Sequence, residues 1–564
     1  MRTSCNLIVG GAAGQGLDSA ALMLARALVR SGWFVLAAQH VMSRVRGGHN
    51  NVRLRIAAEP IEAPADTFHL LAAMTEESVA LHRGRLAPDA VILVDSAWKL
   101  PAEPGLVAIP FHELARRPVY YNTVLLGVIS AFLGLEESVL AELLREQFAA
   151  KGEDTVAANL EALRHGRQWG EAAGVRLPMP DPAPAEQPRL VMNGNQAACL
   201  GAVAAGVGFC GYYPMSPSTS LSEALAWAGA DAGIVVEQAE DEIAAANMAV
   251  GAAYGGARAI VPTSGGGFAL MTEAVSLAGI MEAPVVFFVA QRSGPATGLA
   301  TRTEQADLDL VLYAGHGEFP RAVFAPDSPE SLFRLTYQAF AMAERAQTPV
   351  FVLSDEFLAD GLFTTEPFSV EGLPPITEPD LSDTDPEGYE RYSLRMGPVP
   401  PRRIPGAGRS LVLWDSHEHE PSGHITESAE LRVAQQNRRL QKLSVLKEQV
   451  VPPAYLGPEN PDVLLVSWGS PNGAVRETVS THEGPGTLAA LTFTQVWPLV
   501  PETFLPYLTA AHRVVVVEGN STGQFARLLT WAAGFSAPHA IRRYDGRAMT
   551  VQYIRQGLRS LLEG

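Results

Sequence analysis

Short apolar runs that close in glycine or polar residues, each followed by a helical stretch, recur along most of this chain. Residues 6–9, 34–39, 51–57, 69–74 and 90–96 read as strands of an N-terminal α/β region, with a helix over 17–31 after the glycine turn GGAAGQG. Residues 234–236, 259–263, 284–290 and 348–357 continue the pattern in the middle, and 463–470, 488–501 and 512–529 open three strand-loop-helix units near the end. Two breaks divide it. After a helical stretch over 135–172 come five prolines between 176 and 190, a composition that makes a stiff, extended linker. From 365 to 405 the sequence is Pro- and acid-rich, with little regular periodicity. The expected organisation is an N-terminal domain over 1–177, a linker over 178–189, a second domain over 190–375, a connector over 376–460 and a last domain over 461–564.

The stretch 235–303 concentrates the chemistry. An apolar strand runs into an acidic turn, EQAEDE, and then a helix of Ala, Met, Asn and Gly that offers no bulk, so a flat ligand could press on it. Helical spacing gives Glu242 the small neighbours Ala245, Ala246 and Ala249, and an enclosed carboxyl suits proton sharing with a ligand nitrogen. The plainer reading is that Glu237, Glu240, Asp241 and Glu242 simply favour the positive end of the helix dipole. Two further strands end in the loops SGGG and QRSGPATG, and in parallel α/β sheets ligands bind at those carboxyl ends.

The turn YYPMSPSTS sets Ser216 between Pro214 and Pro217 with its hydroxyl displayed; its serines could equally cap the next helix, Ser218 in particular. Arg292, at a strand's carboxyl end, offers a fork for a carboxylate, although loop arginines more often form surface ion pairs. Arg44, Arg46, Gly47 and Gly48 form a basic loop able to accept a phosphate group or to pack on a partner.

Charge and cysteines narrow the class. With 42 Lys and Arg against 60 Asp and Glu, net charge −18 and no basic run, nucleic acid is not an expected partner. The three cysteines, Cys5, Cys199 and Cys210, form no C-x-x-C pair and cannot supply the four thiolates of an iron–sulfur cluster. His417, Glu418, His419 and His424 lack a matching second cluster, so no metal ligand is assigned. No apolar run reaches membrane-spanning length and no secretory pattern opens the chain, which points to a cytoplasmic protein.

Together, YYPMSPSTS, EQAEDE with the helix it opens, TSGGG and QRSGPATGLATRTEQAD resemble the α subunit of 2-oxoacid:ferredoxin oxidoreductases, of the kind fused to a γ domain. The resemblance implies an α/β protein with an N-terminal γ domain, a doubly wound thiamine-diphosphate-binding domain of the pyrimidine type and a smaller transketolase C-terminal-like domain. It implies that Glu242 activates the cofactor, that Ser216, Arg292 and Thr301 bind substrate, and that Tyr213, Pro214, Gly265 and Gly266 line the cofactor site. Ser216 stands where the family usually has threonine, and Arg44, Arg46, Gly47 and Gly48 become candidates for coenzyme A. No G-D-G-type diphosphate segment is present, so a β subunit is expected to bring Mg²⁺, the diphosphate half and a [4Fe–4S] cluster in an (αβ)₂ assembly that reduces ferredoxin. The expected substrate is 2-oxoglutarate, with pyruvate or a branched-chain 2-oxoacid as alternatives. Competing classes are a thiamine dehydrogenase or transketolase component and a non-catalytic nucleotide-binding or scaffold subunit.

Overall fold

The computed structural model describes residues 3–42, 48–182, 188–382 and 388–563. Two compact units form. One holds Met1–Asn193, Asp360–Pro367 and Thr550–Tyr553; the other holds Gly194–Ala359, Phe368–Met549 and Ile554–Gly564.

In the first unit an eight-stranded sheet runs in the order Leu106–Ile109, Leu86–Asp95, Phe68–Ala73, Ser4–Ala12, His49–Ala57, Phe34–His40, Leu362–Thr365, Leu190–Asn193. The first four strands are parallel and the rest antiparallel. The opening strand is longer than its apolar run, because Gly10 and Gly11 pair with Asn51 and Asn50. Only Ala13–Gly16 is left to turn, with Gly14 at φ +88° and Gly16 at φ +71°. The helix Tyr121–Leu133, absent from the sequence reading, is buried at every position from Thr123 to Leu133. A helix apolar all round carries no amphipathic stripe, so periodicity cannot reveal it.

The second unit contains two sheets. Seven strands run in the order Gln495–Trp497, Ala322–Phe324, Val350–Asp355, Val285–Gln291, Ala259–Thr263, Phe209–Tyr212, Val235–Gln238, all parallel except the first. Their uninterrupted Val, Phe and Ala runs are those of strands covered on both faces; every residue of Val285–Gln291 is buried. Five strands form the other sheet: Ala454–Leu456, Leu488–Phe493, Val463–Trp468, Arg513–Glu518 and His539–Arg542. Phe287 and Phe351 of the larger sheet share one apolar core with Trp468, Phe493 and Phe525.

Among the described residues, no helix or strand lies between Thr365 and Ala429. What orders this connector is charge. Its helix Ala429–Lys447 carries Arg438 and Lys442 onto Glu282, and all three are buried. Although burial opposes it, Lys442 and Arg438 hold the Glu282 carboxyl well below the ordinary carboxylate range. Removing one partner of a buried network strands the others. Glu282→Ala is therefore expected to destabilise this unit by about 3–5 kcal/mol in urea unfolding, and a loss below about 1 kcal/mol, the surface-pair range, would contradict the account.

Candidate active site

In sequence, Phe209–Tyr212 is followed by Val235–Gln238 on one side of it and by Ala259–Thr263 on the other. Crossovers on opposite sides open a crevice at the carboxyl ends of the strands where the order reverses. Its walls are the turn after Phe209–Tyr212 and, where the sequence suggested a loop, the glycine-built first turn of the helix Gly265–Leu270 after Ala259–Thr263; the two nearly touch, since a Cβ on Gly266 would lie 3.9 Å from Met215 Sδ. Tyr213, Pro214, Ser216 and Gly266 are all exposed there.

Glu242 opens the helix Glu242–Tyr254. Asp241 takes the cap, its carboxylate accepting from Ala244 N at 2.7 Å, which leaves Glu242 free of that role. Glu242 is 4% exposed. Its side chain occupies the space a Cβ on Gly267 would need, 2.9 Å from that position. Among the described residues its carboxyl makes no hydrogen bond or ion pair. A buried carboxyl without a protein partner, beside a turn of three glycines, fits a flat ligand ring with a nitrogen to offer.

Arg292 follows the strand Val285–Gln291 and reaches across: its Nη1 donates to the Ser216 carbonyl at 2.8 Å. The structure thus joins Arg292 and Ser216 through the backbone, and the Ser216 hydroxyl remains displayed. Arg292 Nε is enclosed without a partner. Burial lowers the guanidinium's pKa, and Asp307 opposes that shift. The segment beyond Arg292 folds back, with Ser293 N donating to the Arg302 carbonyl at 3.2 Å and Leu299 N to the Ser293 carbonyl at 3.0 Å, which returns Thr301 towards the strand end. Glu304 and Asp307 come next, and neither was singled out in the sequence reading. Burial pushes the Asp307 carboxyl up to about 6, with Glu304 adding to the shift and Arg292 opposing it.

The surrounding shell is hydrogen-bonded. Buried Asn195 Nδ2 donates to the Pro217 carbonyl (2.8 Å) and to Ser220 Oγ (2.7 Å), fixing the turn. Ser218 occupies the cap position of the helix Thr219–Ala232 but does not cap; its hydroxyl turns back to the Met215 carbonyl at 2.7 Å. Glu518 caps the helix Gln524–Ala533, and Asn520 both caps, accepting from Gly523 N at 2.8 Å, and bridges. Glu518 accepts from Phe525 N (3.0 Å), while Asn520 donates to the Gln305 carbonyl (3.2 Å). Gln524 and Gln305 tie the stretch 305–309 to the smaller sheet's domain, Gln524 Nε2 donating to the Ala306 carbonyl and Gln305 Nε2 to the Trp468 carbonyl, each at 2.8 Å.

Arg44, Arg46 and Gly47 lie outside the described residues; Gly48 is described, with φ +88°. His417, Glu418, His419 and His424 form no metal cluster: buried His419 stacks on Tyr392 at 3.9 Å, and Glu418 pairs with Arg432 and Arg439. Among the described residues no group of three or more potential ligands gathers. The three cysteines are buried and form no disulfide.

A family described as pyruvate flavodoxin/ferredoxin oxidoreductase, thiamine diphosphate-binding, matches residues 200–438, and one described as pyruvate ferredoxin/flavodoxin oxidoreductase matches 6–169. The α subunit of 2-oxoacid:ferredoxin oxidoreductase 2 of Aeropyrum pernix is 30% identical over 639 residues, covering 99% of this chain and 98% of that protein. The 2-oxoglutarate oxidoreductase subunit KorA of Mycobacterium tuberculosis is 32% identical over 72% of this chain and 63% of its own length. A solved 2-oxoglutarate:ferredoxin oxidoreductase from Magnetococcus marinus, with 2-oxoglutarate, coenzyme A and succinyl-CoA bound, superposes with a TM-score of 0.91 at 27% identity, covering 99% of this chain and 100% of the other.

Asn195→Ala removes two bonds that hold the turn after Phe209–Tyr212. It is expected to cost about 1–3 kcal/mol and to raise amide exchange selectively at residues 213–220; unchanged exchange there would refute this role for Asn195.

Proposed function

We propose, for a chain that belongs to the α subunits of the 2-oxoacid:ferredoxin oxidoreductases, that it builds the cofactor-activating and substrate-holding half of an enzyme acting on 2-oxoglutarate. The overall reaction is 2-oxoglutarate, coenzyme A and oxidised ferredoxin to succinyl-CoA, CO₂ and reduced ferredoxin, or its reverse. The observation that carries this reading is the enclosed, unpartnered Glu242 on Gly267, in the crevice where Arg292 reaches Ser216. The choice of 2-oxoglutarate draws support from the names of the Mycobacterium relative and the Magnetococcus structure.

Thiamine diphosphate, when bound, supplies the electron sink for the acyl carbanion that loss of CO₂ leaves. This chain's residues do the rest of its half. Glu242 holds a proton between its carboxyl and the cofactor's pyrimidine nitrogen. Tyr213, Pro214, Gly265 and Gly266 wall the ring. Arg292 holds the substrate carboxylate, with the Ser216 and Thr301 hydroxyls beside it.

In the same reading residues 1–177 form the γ-type domain, whose loop with Arg44, Arg46, Gly47 and Gly48 takes the phosphates of coenzyme A. Residues 190–375 form the thiamine domain, 376–460 the connector and 461–564 the transketolase C-terminal-like domain. A β subunit brings Mg²⁺, the diphosphate half and a [4Fe–4S] cluster, and the assembly is a cytoplasmic (αβ)₂. No helix among the described residues is long and apolar enough to cross a membrane.

The test is anaerobic reduction of a low-potential one-electron dye by the co-purified complex with thiamine diphosphate, Mg²⁺ and coenzyme A. Reduction is expected with 2-oxoglutarate; preference for pyruvate or a branched-chain 2-oxoacid would overturn the substrate. Glu242→Gln is expected to lower turnover by about 10²-fold or more with the complex intact, and a variant at wild-type rate would remove Glu242 from the mechanism.

A further inference from the structure

Asp307 stands at the position that caps the helix Leu308–Tyr313, yet its side chain makes no capping bond. An aspartate there ordinarily accepts a backbone N–H of the first turn. Here its main chain is held instead, Asp307 N donating to Gln291 Oε1 at 3.0 Å while Gln291 Nε2 donates to the Ser354 carbonyl at 3.1 Å. The carboxyl is pressed on the glycine turn: a Cβ on Gly265 would lie 2.2 Å from Asp307 Oδ2. That oxygen is enclosed and has no hydrogen-bond partner, and the same is true of Arg292 Nε. The two groups act on each other electrostatically without forming a direct ion pair. Opposite charges left in mutual reach but unbonded, at the mouth of a substrate crevice, are a poor way to build stability. They are a good way to leave an arginine available to an incoming anion.

We propose that Asp307 is a positioning residue that sets the charge Arg292 offers to the substrate carboxylate: neutral, it leaves the guanidinium uncompensated; ionised, it competes with the substrate. The proposal rests on Arg292 being the carboxylate-binding group. The charged groups around Asp307 are few. Glu304 lies on its own segment and Arg292 comes from the end of the strand Val285–Gln291, while Gln291 and the glycine turn are uncharged. Glu242 sits at Gly267, farther along that turn, and Asp309 is paired with Arg527.

A carboxyl raised to about 6 is neutral below that pH and charged above it. The 2-oxoacid carboxyl is ionised throughout. The KM for 2-oxoacid is therefore low on the acid side of about pH 6 and rises as pH increases through it. The rise expected is about five- to tenfold, the size of one unit-charge interaction at a partly screened site. Asp307→Asn, similar in shape but always neutral, keeps the low KM across the range with little change in kcat.

The experiment measures initial rates of dye reduction against 2-oxoglutarate from pH 5.5 to 8 for the wild-type complex, Asp307→Asn and Arg292→Gln. A wild-type KM that rises through about pH 6, flattened in Asp307→Asn, supports the proposal. A KM in Asp307→Asn that follows the wild-type curve, or that is raised at every pH, overturns it. Should that variant fail to assemble, a pH-independent wild-type KM overturns the proposal and a rising one supports it. Arg292→Gln separates the two readings. If its KM equals that of wild type, the substrate-site reading falls and this proposal with it. If its KM is raised while Asp307→Asn behaves as wild type, only this proposal falls.

Discussion

Two carboxyl groups occupy the space that Cβ atoms would take on one glycine turn, and the arrangement of the crevice depends on it. Glu242 fills the place beside Gly267, and Asp307 fills the place beside Gly265. Any larger residue at either position would push a carboxyl out of a densely packed neighbourhood. The turn itself is set by the parallel sheet. It follows the strand Ala259–Thr263, next to the point where strand order reverses, so both carboxyls are delivered to the end of the sheet where such folds bind ligands.

The second unit treats buried charge in two ways, and the contrast separates structure from function. Under the connector, Glu282 is matched by Arg438 and Lys442, and its carboxyl is held low despite its burial. The Lys442 ammonium is itself pushed down to about 7 by that burial, with Glu282 opposing. There the buried carboxylate is met directly by two cations, as a packing joint requires. In the crevice no such direct pairing forms: Asp307 Oδ2 and Arg292 Nε are enclosed without hydrogen-bond partners, and Glu242 is a buried residue whose carboxyl bonds to no described residue. Buried polar groups left open in a cleft mark the place where a ligand completes the set.

Much of this was legible in the chain. The apolar runs located the strands of the doubly wound domain, with shifts at their ends such as Val235–Gln238 for the run beginning at Ile234. The glycine-rich and Arg292-bearing loops could be placed at the carboxyl ends of those strands, and the helix of small residues set Glu242 apart. What stayed hidden depends on distant partners. The strands Leu190–Asn193 and Leu362–Thr365 are short and pair with each other across a long sequence gap, so no local pattern announces them. Ser218 has the residue type of a cap, but the Met215 carbonyl competes for its hydroxyl. Asp307 looked like one more acid after a loop. Its meaning comes from Gly265, far away in sequence, and the run TEQAD carried only the hint that acids follow the arginine loop.

The most direct test of this account is the turnover of Gly267→Ala in the assembled complex, at saturating thiamine diphosphate and 2-oxoacid. The added methyl would sit 2.9 Å from Glu242 Cγ and 2.4 Å from Thr263 Oγ1, so the carboxyl must move. Displacing a proton-sharing group by part of an ångström is expected to lower turnover by about tenfold or more, with the fold and subunit association retained. Turnover within about twofold of wild type, an effect of under 0.5 kcal/mol on the barrier, would show that the position of Glu242 on this turn does not govern the chemistry.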